Sequence, residues 1–282
     1  MKADCHIHMV LDAVDWKNAI ARHSTEPDIS WIRETLSQYQ SQGVTYLRDG
    51  GDRWGVGALA RSIAHEYGIT YKTPLAPLCK EGRYGGFIGE VWRDLKEYAT
   101  LVRRNRDHGG DFIKVMISGL MDFDRFGVLT SSALSYGEIA EIVHIAHEEG
   151  FAVMAHCNGA RTAEAAAIAG VDSIEHGAYL DEDALSAMKE NGAVWVPTLS
   201  TIGNIRGKGR FDEAAVERIL DSALQNVACF GAMGGLIALG TDAGAWSVPH
   251  GSRSEYSLLY QALGSDTDDI LCCGVQEIKK KF

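Results

Sequence analysis

The chain has 282 residues, 46% hydrophobic and 23% charged, and its 27 basic against 38 acidic side chains leave a net charge of −11. That balance is ordinary for a soluble globular protein and excludes nucleic acid or an anionic membrane as the main partner. No apolar run approaches the ~20 residues that span a bilayer, and the opening Met-Lys-Ala-Asp-Cys-His lacks the apolar stretch of a secretory signal.

Strands and helices alternate along the chain. Strands are expected over 3–8, 44–49, 69–75, 112–117, 152–156, 171–176, 193–197 and 236–241. Helices are expected over 30–42, 56–67, 91–106, 136–149, 161–169, 181–190, 212–233 and 254–263. Pro74 and Pro77 break the third strand, and Gly43, Gly68, Gly150 and Gly170 stop helices. The stretches 79–89 and 203–209 read as long loops over a site, and 278–282, with its three lysines, as a frayed end. Eight such units predict one closed (β/α)8 barrel spanning 1–282 rather than an open doubly wound sheet. The six cysteines, Cys5, Cys79, Cys157, Cys229, Cys272 and Cys273, form no CxxC pair, so reduced thiols in the cytoplasm are expected.

Several strands end on residues that packing does not explain. His6 and His8 stand two apart, so in a strand both imidazoles project to one side. They can be a buried hydrogen-bonded pair or two ligands of one ion. Asp4, on the same face by that parity, can orient His6. Lys114 lies in an apolar strand, Phe-Ile-Lys-Val-Met-Ile. Burial depresses a lysine pKa, and a neutral amine can take up CO2 as a carbamate that bridges two cations. A plain ion pair with a barrel carboxylate is the other reading of Lys114. His156 and His176 close consecutive strands, and neutral imidazole is a favoured ligand for zinc and similar ions. Asp242 follows Leu-Ile-Ala-Leu-Gly-Thr. It can cap a turn, or bind metal and carry a proton. Glu175 alternates away from His176 and is expected to pack between strand and helix. Cys5 and Cys157 read as small apolar filler, and His144 and His147 as structural residues on an outer helix. His250, Arg48 and Tyr84 are candidates for substrate contacts, beside Asp49 and Arg83.

As an ordered set, four stretches resemble the amidohydrolase superfamily, in its imidazolonepropionase-like branch that includes Xaa-Pro dipeptidases. They are Gly-Val-Thr-Tyr-Leu-Arg-Asp-Gly-Gly at 43–51, Phe-Ile-Lys-Val-Met at 112–116, Ala-Gly-Val-Asp-Ser-Ile-Glu-His-Gly at 169–177 and Ile-Ala-Leu-Gly-Thr-Asp-Ala-Gly at 237–244. The resemblance implies a binuclear site of two divalent ions, zinc with manganese or iron as alternatives. In it His6 and His8 bind the first ion, His156 and His176 the second, and a carboxylated Lys114 bridges them. Asp242 binds the first ion and is the catalytic acid/base. A metal-activated hydroxide would then cleave a C–N amide bond of a small-molecule substrate, peptide-like or cyclic. Two departures stand out. The accessory β-sandwich of the relatives is expected to be absent, and His156-Cys157-Asn158 replaces their His-x-His. The alternatives are a one-ion deaminase or cyclic-amidine hydrolase on the same barrel, and a non-catalytic binding barrel. A homo-oligomer is left open.

Overall fold

The computed structural model describes residues 2–282. In chain order the elements are β1 (Ala3–Ile7), α1 (Trp16–Arg22), α2 (Ile29–Ser41), β2 (Tyr46–Asp49), α3 (Val56–Ile63), β3 (Thr70–Lys72), β4 (Leu78–Lys80), β5 (Glu90–Trp92), α4 (Leu95–Asp107), β6 (Ile113–Met116) and α5 (Tyr136–Glu148). There follow β7 (Val153–Cys157), α6 (Ala160–Ile168), β8 (Ser173–His176), α7 (Glu182–Glu190), β9 (Val194–Val196), α8 (Ser200–Gly203), α9 (Glu213–Ala232), α10 (Ser254–Leu263) and α11 (Thr267–Lys281). Helix starts are set by side chains that take the free N–H groups of the first turn. Asp15, Asp28, Asp94, Asp181 and Asp212 do this, and Ser135 forms a reciprocal box with Glu138. The helix expected from residue 91 therefore begins only after Asp94, and Val91 belongs to β5.

All named strands run parallel, in two hydrogen-bonded groups: β1-β2-β3 and β5-β4-β6-β7-β8-β9. Backbone bonds cross both seams between the groups. At one, Asp111 N–H donates to Thr73 O at 3.0 Å; after the break at Pro74–Pro77, β4 resumes the place of the third strand beside β6. At the other, residues 236–243 run between β9 and β1. Trp195 N–H donates to Leu236 O (2.8 Å), Cys5 N–H to Leu239 O (2.8 Å) and His8 N–H to Ala243 O (2.7 Å). The fold is the expected (β/α)8 barrel. Its eighth strand is not regular, because the Asp4 carboxylate takes the Thr241 N–H at 2.9 Å and its hydroxyl at 2.6 Å, in place of ladder bonds. Gly240 lies so close to its neighbours that an added Cβ would stand 2.4 Å from Val196 Cγ1.

The last residues correct the expectation of a frayed end. α11 runs to Lys281, with Leu271 and Ile278 buried. Phe282 is buried too, edge-on to Phe112 at 5.2 Å, in a cluster with Ala3, Cys5, Met154, Val194 and Val196. An apolar plug thus fills one end of the barrel. No helix among the described residues is long and apolar enough to cross a membrane.

Candidate metal centre

Above that plug the strand ends converge. His6, His8, Lys114, His156, His176, Asp242 and Tyr84 all line one cavity of about 400 Å³. The His6 and His8 Nε2 atoms lie 3.4 and 3.1 Å from the same Asp242 oxygen, Oδ1. One ligand atom from each of these three residues falls within 4.8 Å of the others. The His176 ring stands 5.1 Å from His6 and 4.6 Å from His156.

Local backbone geometry aims these groups. A register shift between Asp4 and Ile7 bends β1, so that Cys5 joins the interior cluster while His6 and His8 still reach the cavity. His176, Thr198 and Asp242 have φ of 69°, 48° and 59°, a left-handed conformation that non-glycine residues rarely adopt. Such strain collects at functional sites. Gly50 leaves room for the His8 ring: an added Cβ would lie 2.3 Å from its Cε1.

The hydrogen bonds fix which nitrogens face the cavity. His6 Nδ1 and Glu175 Oε2 are 2.7 Å apart. An ionised carboxylate only accepts, so Nδ1 carries the proton and Nε2 keeps its lone pair. The Gly119 carbonyl does the same for His156 from 3.2 Å, through Nε2, which leaves Nδ1. Thr198 Oγ1 holds His176 Nδ1 at 2.7 Å, which leaves Nε2. Burial, with Lys114 adding to it, pushes His6 down to about 4 and His156 to about 3, and burial holds His176 well below its usual range. All three are neutral near pH 7, the form that binds metal. Burial also lowers Lys114 to about 8, against the opposing pull of Glu175 and Asp242. Burial would raise Asp242, but His6, His8 and Lys114 outweigh it and keep the carboxylate ionised.

Four buried polar atoms at this level have no hydrogen-bond partner: His6 Nε2, His8 Nδ1, Lys114 Nζ and Asp242 Oδ1. Each would cost about 1–3 kcal/mol if left so. Imidazole nitrogens, a carboxylate oxygen and an amine gathered in one place fit a divalent cation, which would offset that cost.

Two expected substrate contacts are corrected. Arg48 is fully buried beneath the centre: Nε donates to Cys5 O (2.7 Å), NH1 to Ser173 Oγ (2.8 Å) and NH2 to Glu175 Oε1 (2.8 Å). Its guanidinium also stacks 4.4 Å from the Phe282 ring. His250 is buried with both nitrogens engaged, Nδ1 by Tyr39 Oη and Nε2 by Leu11 O, each at 3.0 Å. It braces the loop after β1. Glu175 is corrected as well. It reaches His6 and Arg48 on strands across the barrel, so it lies inside, not between strand and helix. The left-handed turn at His176 breaks the alternation, and Glu175 and His176 both face inward. Asp4 binds the His6 backbone and Thr241, and it is Glu175 that orients the His6 ring.

Most other residues lie where the sequence puts them, apart from the loop at 203–209. Tyr84, Phe87 and Ile88, from the loop at 79–89, reach the cavity. Cys5 and Cys157 are buried thiols that burial pushes up to about 12. His147 pairs with Asp172 on the outside. The loop at 203–209 does not line the cavity; Thr201, Ala245 and Trp246 supply that side. Asn158 ties three loops together: N–H to Ser118 Oγ, Nδ2 to Gly119 O, and Oδ1 accepting from Ala178 N–H.

The sequence profile of the Amidohydrolase family matches residues 4–264. The chain belongs to that family. An Aspergillus niger ochratoxinase is 33% identical over 192 residues, 65% of this chain and 38% of that protein, so the chain spans well under half of that relative's length. An uncharacterised protein of Mycobacterium tuberculosis is 25% identical over 280 residues, covering 95% of this chain and 70% of its own. Among solved structures, a Xaa-Pro dipeptidase with bound methionine superposes with a TM-score of 0.79 at 20% identity, over 99% of this chain and 75% of that one. The A. niger ochratoxinase structure gives 0.78 at 23% identity, over 99% and 70%. At these identities the superpositions speak for the barrel alone.

Proposed function

We propose that residues 1–282 act as one barrel that hydrolyses a C–N amide bond of a small molecule with divalent metal. The supporting observation is the convergence of His6, His8 and Asp242 beside a buried, unpartnered Lys114. His6, His8 and Asp242 would hold one ion, His156 and His176 a second, and a carbamate on Lys114 would bridge them. Zinc suits the donors; manganese or iron are the alternatives. When bound, the ions supply Lewis-acid activation of water and of the substrate carbonyl.

The chain's own groups do the rest. Lys114, lowered to about 8, has a neutral fraction near pH 7 with which to add CO2. Glu175 and the Gly119 carbonyl hold His6 and His156 in the tautomers that present a lone pair. The Asp242 carboxylate, ionised and at the convergence point, takes a proton from water and returns it to the departing nitrogen. A cavity of about 400 Å³ is sized for a small substrate.

Reconstitution with zinc, metal analysis and a screen of N-acyl amino acids, dipeptides and cyclic amides test the reading. Expected are about two ions per chain, falling to about one in Lys114→Met, and amide turnover that chelation abolishes. Turnover that survives complete metal removal would sink it.

A further inference from the structure

We infer that the cavity selects neutral amides flanked by bulky apolar or aromatic groups, and discriminates against substrates with a carboxylate beside the scissile bond. The inference rests on the amide-hydrolase reading and adds a substrate class to it.

Beyond the ligand set the wall is mostly apolar, with Trp16, Phe87, Met116, Leu120, Phe123 and Trp246 among its residues. Its polar side chains are largely committed elsewhere. The Asn158 amide donates to Gly119 O at 3.0 Å and accepts from Ala178 N–H at 2.9 Å. The Thr201 hydroxyl donates to Thr198 O at 2.9 Å. What remains is neutral: the Tyr84 phenol, packed 4.8 Å from the His156 ring, and the indole N–H groups of Trp16 and Trp246. Among the described residues Lys114 is the one lysine or arginine lining the cavity, and it belongs to the ligand set.

Cations do stand nearby, on the wrong side of the wall. Lys17 and Arg210 line an adjoining depression, whereas Trp16 and Trp246 line both spaces and so separate them. Lys17 Nζ sits 5.6 Å from the Trp16 ring centroid, and the Arg210 guanidinium 3.0 Å from that of Trp246. A carboxylate held against that wall, away from the ligand set, would shed water and find no lysine or arginine to pair with, which is costly. An aromatic group would be gathered in by rings on several sides.

N-benzoylphenethylamine and N-benzoylphenylalanine differ by one carboxylate on the leaving group. With the zinc-loaded protein, the neutral member should show a kcat/KM at least about tenfold higher, and a dissociation constant lower by a similar factor. Equal or faster turnover of N-benzoylphenylalanine overturns the inference; if its advantage disappears in Arg210→Ala, the outer arginine is the selecting group. If neither compound is cleaved, the dissociation constants decide. Preference for the neutral member upholds the cavity's selectivity while amide hydrolysis itself falls, and preference for the acid overturns both.

Discussion

The barrel treats polarity in opposite ways below and above the ligand level. Below it, Arg48, Glu175, Ser173 and Asp4 are fully buried, and each is hydrogen-bonded to a neighbour at 2.5 to 3.3 Å. Above it, the wall is aromatic and aliphatic, with neutral donors alone outside the ligand set. Between the two lie four polar atoms that no described residue satisfies. Buried polar groups are normally paired, so four bare ones gathered at one level point to a ligand there. On the proposed reading, the paired floor sets the geometry, the orphaned layer holds the chemistry, and the wall chooses what enters.

The orphaned layer should respond most to mutation. Asp242→Asn removes the proposed proton carrier without changing shape, and turnover should fall by at least ~10³-fold while circular dichroism is unchanged. Near-normal rates in that variant would dissolve the distinction between layers. The floor comes next. Glu175→Gln strands the Arg48 charge in the interior and should cost about 3–5 kcal/mol in chemical unfolding. It also removes the carboxylate that orients His6, so metal affinity should weaken about 10- to 100-fold. Adding Arg48→Met should restore much of the stability and none of the affinity. Recovery of both would make the floor a scaffold with no say in the centre.

The wall should give a smaller effect of another kind. Trp246→Ala should raise KM for an aromatic amide by about tenfold with kcat little changed, since it removes binding that ground and transition states share. A fall in kcat at constant KM would place Trp246 in the chemistry. The smallest expected effect lies outside all three layers. Glu255 is buried against the start of α8 and accepts from Leu199 N–H, Ser200 N–H and the Ser200 hydroxyl. Burial raises its carboxyl from 4.5 to about 7, against those hydrogen bonds. A raised carboxyl pKa means that the folded state holds the proton more tightly, so the stability contributed is full below pH 4.5 and is lost as pH rises through about 7. Melting of wild type and Glu255→Gln at pH 5 and pH 8 should show a steeper decline in the wild type; parallel declines would remove Glu255 from the account.

Much of the proposed ligand set is legible in the sequence because each member violates local expectation. A lysine in Phe-Ile-Lys-Val-Met-Ile or a histidine closing Phe-Ala-Val-Met-Ala has no packing reason to be there. The misreadings came from rules of alternation and exposure applied where the backbone departs from them. Glu175 was placed outside by strand parity, and the left-handed turn at His176 cancels that parity. Arg48 was given to substrate because strand ends face the cavity, yet it lies deeper, among Cys5, Ser173 and Glu175. The signal that finds Lys114, a charge inside an apolar strand, is present in Tyr-Leu-Arg-Asp and Ser-Ile-Glu-His too. Those two charges pair with each other, Arg48 NH2 donating to Glu175 Oε1 at 2.8 Å.

The amino-acid order by itself determined the alternation of strand and helix, the caps that begin the helices, and the residue types able to bind metal, because those depend on neighbours a few positions apart. Only the tertiary structure decided which of them meet. His6 lies 169 residues from Glu175 and Asp4 lies 237 from Thr241, yet these contacts set ring orientation and close the last seam. Such contacts carry no local periodicity, and they exist only once the barrel has brought opposite strands within hydrogen-bond reach.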